Sequence, residues 1–121
     1  MQIKTQDLTG PALNWAVAEA LGYQPRVYST QSIRAELPTG GVIAPFMPGF
    51  RWDQGGPIIE REGLSIIHVG DDWLDAWKAR KGDGHWKGEY KHGPTPLIAA
   101  MRCFVASRLG DAVEVPEALQ E

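Results

Sequence analysis

The chain predicts an α+β fold: a small antiparallel β-sheet of three to four strands with two main α-helices packed on it. Three observations carry this. Residues 93–110 read as a capped apolar helix, residues 9–22 as a second, and residues 57–69 as two alternating runs joined at Glu62-Gly63. The 121 residues form one domain, long enough to bury a single core.

In chain order, Ile3 to Thr5 has the pattern of a short strand. In the first helix Thr9 is placed to cap and Pro11 sits in the first turn. Leu13, Ala16, Val17, Ala20 and Leu21 make the apolar face, and Gly22 ends it. Asn14 and Trp15 lie off the centre of that face. Residues 23–50 carry Pro25, Pro38, Pro45, Pro48, Gly40, Gly41 and Gly49, which predicts an irregular loop region tracking the surface. Within it, Val27 to Ser29 is a strand fragment and Gln31 to Leu37 a short helix. Arg51 to Gly56 reads as a turn, because Gly55-Gly56 permits positive φ and close backbone approach. Pro57 to Arg61 then forms a strand and Leu64 to Val69 its antiparallel partner.

Residues 73–80 fit either a helix, with Lys78 and Arg80 in its last turn, or a third strand. The strand is preferred because a meander needs it for stability. Trp86 to Lys91 is a fourth strand. In the anchor helix, Thr95 caps and Pro96 takes the first position, where its missing N–H costs nothing. Leu97, Ile98, Met101, Phe104, Val105 and Leu109 form one apolar stripe beside Arg102 and Arg108, and Gly110 supplies a left-handed end. Val113 to Val115 alternates briefly, Pro116 stops it, and residues 117–121 fray.

A formal charge of −3 argues against a dedicated nucleic-acid binder. The single cysteine, Cys103, allows no internal disulfide and reads as a buried apolar residue. No basic-then-apolar leader and no apolar run of about 18 residues is present, so a cytoplasmic location without membrane contact is expected. His68, His85 and His92 have no paired spacing, and no metal or other cofactor is expected. Ser107 and Cys103 lack an adjacent base, and no phosphate-binding loop or dinucleotide glycine pattern occurs. Glu60 and Glu62 share a strand face at spacing two. They are the carboxylates on which an enzymatic alternative, nucleotide cleavage with His92 in an acid/base role, would rest.

Binding is the stronger expectation. The start of the anchor helix, at Gly93 and Thr95, offers N–H groups and a positive dipole end to an anion. Arg51, Arg61 and Arg102 are candidate phosphate grips. Tyr28, Trp52 and Tyr90 are candidate stacking faces. The expected ligand-binding set is Trp15, Tyr28, Arg51, Trp52, Gln54, Gly55, Gly56, Tyr90, His92, Gly93, Thr95 and Arg102, with no catalytic residue and no metal ligand. The expected ligand is small and phosphorylated or nucleotide-like, held by a homo-oligomer.

Three blocks then carry a family resemblance: Leu13-Asn14-Trp15-Ala16-Val17-Ala18, Gly55 to Glu62, and Gly93 to Gly110 followed by Val113-Glu114-Val115-Pro116. In these the chain resembles the NinX-like small proteins of tailed bacteriophages. It departs from them in having Asn14 where the family usually has Asp, and in the order Arg51-Trp52-Asp53. The resemblance implies a phage accessory protein working in the cytoplasm of the infected host. By analogy of size with small phage sponges, it implies sequestration of a nucleotide-type immune signal to counteract host defence. A protein-binding inhibitor of a host enzyme is the other alternative.

Overall fold

A computed structural model describes residues 1–70, 74–82 and 88–119. The elements are β1 (Gln2–Lys4), α1 (Gly10–Ala20), β2 (Gln24–Ser29), β3 (Ser32–Glu36), β4 (Val42–Ile43), α2 (Trp52–Glu62), β5 (Leu64–His68), β6 (Trp77–Lys81), β7 (Lys91–Gly93), α3 (Pro96–Leu109) and β8 (Ala112–Glu114). Short 3-10 turns occupy Thr5–Asp7 and Glu117–Leu119. The α+β expectation holds, but the strands form three small antiparallel sheets, ordered β1-β8, β2-β3-β4 and β5-β6-β7.

Helix α3 is the axis. Thr95 Oγ1 accepts from Ile98 N at 3.1 Å, Pro96 follows at the first position, and Gly110 ends the helix at φ +91°. The expected single stripe is too narrow. Leu97, Ala99, Ala100, Met101, Arg102, Cys103, Phe104 and Val105 are all buried, because β5, β6 and β7 cover one side while α1 and α2 cover others. Leu109, placed on the stripe, is instead exposed. In α1 Leu13, Ala16, Val17 and Ala20 of the expected face are buried, while Leu21 lies just past the helix and is half-buried, and the Thr9 hydroxyl makes no capping bond.

Two stretches differ from the sequence expectation. Residues 52–62 are helix α2, not a turn and strand. Asp53 lies in its first turn, and Gly63 ends it in the left-handed region at φ +64°. Gly55, Gly56 and Pro57 disfavour a helix locally, and Pro57 cannot donate to the Asp53 carbonyl. Packing overrides that: a Cβ on Gly55 would lie 2.4 Å from the Pro48 carbonyl oxygen and 2.6 Å from Leu97 Cδ2, so glycine lets α2 press onto α3. Glu60 and Glu62 therefore share no strand face. Glu60 is exposed and Glu62 turns inward.

Residues 23–50 are not one irregular loop, and 31–37 is not a helix. Ile33 and Ala35 are buried while Ser32, Arg34 and Glu36 alternate with them, the two-residue period of a strand. The remainder is stapled by side chains: Gln54 Oε1 accepts from Met47 N at 2.6 Å, Gln54 Nε2 donates to Pro45 O at 3.0 Å, and Asn14 Oδ1 accepts from Gly49 N at 3.1 Å.

The third strand runs over Trp77–Lys81 only, and the strand before α3 is Lys91–Gly93. Trp73, His85, Trp86 and Lys87 lie outside the described residues. Ile3 pairs with Val113, so both weak terminal strands are real and complete each other. The tail does not fray through residue 119: Leu119 is buried in the core.

Candidate functional site: a cationic sheet face

The mouth of α3 does not assemble the expected cage. Thr95 satisfies two of the helix's leading N–H groups, with Oγ1 on Ile98 and its carbonyl on Ala99 at 3.1 Å. A Cβ on Gly93 would lie 2.8 Å from Ala99 N, so the turn from β7 is folded tightly against the helix start. Outside it lies a hollow of about 180 Å3 lined by Gly49, Phe50, Trp52, Thr95, Pro96, Leu97 and Ile98, which contributes no cation.

The arginines expected there are engaged elsewhere. Arg102 is 6% exposed; its Nε donates to Leu8 O at 2.9 Å and its Nη1 to His92 O at 2.7 Å. Burial lowers its pKa, against the opposing charges of Asp7 and Asp75. Gln6 completes the cluster, its amide bonding His92 N and O at 3.1 and 2.9 Å. Arg51 grips Asp53 through two bonds of 3.0 and 2.9 Å, and Arg61 pairs with Glu62 at 3.3 Å. Arg102, expected as a phosphate grip, is instead a buried structural cation that holds the carbonyls of Leu8 and His92.

Other expected residues scatter. Trp15 packs against the core and hydrogen-bonds Glu19, whose pKa is raised because burial outweighs that bond. Gln54 is a loop staple and Gly55 a packing contact, while a Cβ on Gly56 would meet nothing within 4 Å. Tyr28 stands on the β2-β3 hairpin, 72% exposed. Glu62 is fixed too. Burial alone would raise its pKa, but hydrogen bonds and charge from Arg108, with Arg61 and Lys81, hold it below the ordinary carboxylate value. Cys103 is fully buried, and burial pushes its thiol up to about 11. Among the described residues no three His, Cys, Asp or Glu side chains converge.

Tyr90 and His92 do come together, on the outer face of β5-β6-β7. Leu64 and Ala79 are buried toward α3, so Ser65, Lys78 and Arg80 face outward. Register sets Lys78 opposite His92 and Arg80 opposite Ser65. The ammonium of Lys78 lies 4.1 Å from the centre of the Tyr90 ring and the Arg80 guanidinium 5.9 Å from it. Such contacts hold cations over an aromatic face. Ser65, Arg80, Lys81, Gly82 and Tyr90 line a hollow of about 200 Å3. Among the described residues no carboxylate pairs with Lys78 or Arg80, whereas Lys81 is anchored to Glu62 at 3.4 Å. Two cations with no carboxylate partner among the described residues thus stand beside a phenol and a hydroxyl, on a chain of net negative charge.

Lys78 and Arg80 are not in the expected ligand-binding set. The signal was present in Trp77-Lys78-Ala79-Arg80-Lys81, where period two puts both cations on one face. A model of the family described as bacteriophage P22, NinX matches residues 4–108. No curated protein matches the chain.

Proposed function

Because the chain belongs to the phage NinX family, we propose that it binds and sequesters, without transforming it, a small nucleotide-type signal of host antiphage defence. The observation that carries this reading is the pair Lys78 and Arg80, uncompensated among the described residues and gathered at Tyr90. Charge-assisted hydrogen bonds from such groups suit phosphate oxygens. The Ser65 hydroxyl and the His92 imidazole add polar groups on the same face. Sequestration is favoured over cleavage because, of the three acid/base candidates, His92 alone stands on this face: Glu62 is committed to Arg108, Arg61 and Lys81. Glu60 stands on a helix rather than on this face.

Calorimetry against cyclic and ADP-ribose-type nucleotides tests the reading. Heat of binding from one of them, reduced at least about tenfold in affinity in the Lys78→Ala/Arg80→Ala variant, is expected. Silence across the panel ends it. Recovery of the ligand unchanged after denaturing the complex separates a sponge from a hydrolase. In the same reading two copies meet at the apolar surface of Phe50 and Trp52, exposed by 77% and 56%, and native mass spectrometry reads that assembly directly.

A further inference from the structure

The outer face of β2-β3-β4 carries a second cluster, built from residues the Lys78–Arg80 face does not use. Since Ile33 and Ala35 point into the core, Ser32, Arg34 and Glu36 point outward. Register places Arg26 directly across from Arg34. Like charges opposed on an antiparallel ladder repel. One carboxylate serves both: Glu36 lies 3.5 Å from Arg26 Nε and 3.5 Å from Arg34 Nη2. Arg26 Nη2 also donates to Gln24 Oε1 at 3.3 Å. Two guanidiniums against one carboxylate, all at long range, leave a net positive charge. Their side chains are 56% and 45% exposed, so donors remain open to an anion.

Beside this pair the register of β2 shifts between Val27 and Ser29. Such an irregularity re-aims the side chain within it, here the exposed Tyr28. Tyr28, Ser29, Ser32, Ala44 and Pro45 bound a cleft of about 420 Å3. Small-molecule pockets start at about 300 Å3, so the cleft is large enough for one. Its far wall is fixed, because Gln54 holds Pro45 O and Met47 N while Phe46 N donates to Ile33 O at 2.9 Å. Arg34 lies two residues from Ser32, roughly 6.6 Å along the strand, about the reach of a sugar.

We infer that this cleft is a second binding site, for a nucleotide unit. The base lies against the Tyr28 phenol and Pro45, the sugar hydroxyls meet Ser29 and Ser32, and the phosphate sits on the Arg26–Arg34 pair. Aromatic stacking with guanidinium support is sequence-tolerant, so the unit can be a free mononucleotide or part of a single strand.

The test uses the Lys78→Ala/Arg80→Ala background, which removes the other cationic face so that residual binding reports the hairpin alone. The probes are 5′-AMP, by calorimetry, and a fluorescein-labelled thymidine decanucleotide, by anisotropy. Binding of either probe is expected, weakened at least about tenfold by adding Tyr28→Ala and again by adding Arg34→Gln. Both side chains are exposed, so unchanged thermal unfolding will show that the fold is intact. Tighter binding of the oligonucleotide by about tenfold identifies a strand as the source, and equal affinity identifies the mononucleotide. No binding of either probe in this background, or binding that survives both substitutions, overturns the inference and leaves the Lys78–Arg80 reading standing.

Discussion

Arg102 and Arg80 lie on adjoining elements, one on α3 and one on the sheet that covers it, and their fates are opposite. Arg102 donates to two backbone carbonyls inside the molecule and is 6% exposed. Arg80 faces outward beside Tyr90, with no carboxylate partner among the described residues. The difference teaches that a cation's role follows from which backbone groups need a donor. The Leu8 carbonyl lies in a loop and the His92 carbonyl on the edge strand β7, so no ladder serves both, and Arg102 meets them with help from Gln6. Nothing comparable claims Lys78 or Arg80.

Four variants sharpen this contrast. The largest effect is expected from Arg102→Leu, which strands the Leu8 carbonyl and leaves His92 O with Gln6 Nε2 as its one remaining side-chain donor among the described residues. Urea unfolding should show a loss of about 3 kcal/mol. A loss below about 1 kcal/mol would mean that water replaces the guanidinium, and that this region is as open as the sheet face. Next is Gly55→Ala. Helix propensity alone would gain about 1 kcal/mol. The approach to Pro48 and Leu97 reverses the sign, for a net loss of about 2 kcal/mol.

Third is Glu62→Gln, expected to cost about 2 kcal/mol at neutral pH through weakened bonds to Arg108, Arg61 and Lys81. The pH dependence has a definite sign. The pKa of Glu62 in the folded protein lies below 4.5, so its contribution is present above pH 4.5 and fades as pH falls through the folded value. The Gln variant should lose that part of the acid sensitivity, and parallel acid-unfolding curves for the two proteins would contradict it. The smallest stability effect belongs to Lys78→Ala/Arg80→Ala, within about 0.5 kcal/mol. That variant should lose ligand while keeping its fold, whereas Arg102→Leu should do the reverse of the first half and weaken the fold itself.

Legibility in the sequence followed the same divide. Helices α1 and α3 were readable because their ends are marked by Thr9, Pro11, Thr95, Pro96 and glycines whose roles are local. Helix α2 was not, because Gly55-Gly56-Pro57 signals a turn and only contact with Pro48 and Leu97 makes a helix of it. The strand Ser32–Glu36 was hidden by its Pro/Gly-rich surroundings, although Ile33 and Ala35 already alternate with polar neighbours. Of the expected set, Tyr90 and His92 are brought together beside Lys78. Lys78 and Arg80 do not stand out even when residues 73–80 are read as a strand, because only the fold sets them beside Tyr90 and His92. The error over Arg102 has a physical source as well: helical spacing set it beside the stripe, but α3 has no solvent side at that turn.

The lone thiol of this protein sits in the middle of its most enclosed helix. With its ionisation displaced to about 11 and no surface of its own, it is shielded from alkylating reagents for as long as the native packing lasts. Modification of Cys103 therefore times the opening of the whole core, and pulse labelling would rank the variants above by opening frequency without any introduced probe.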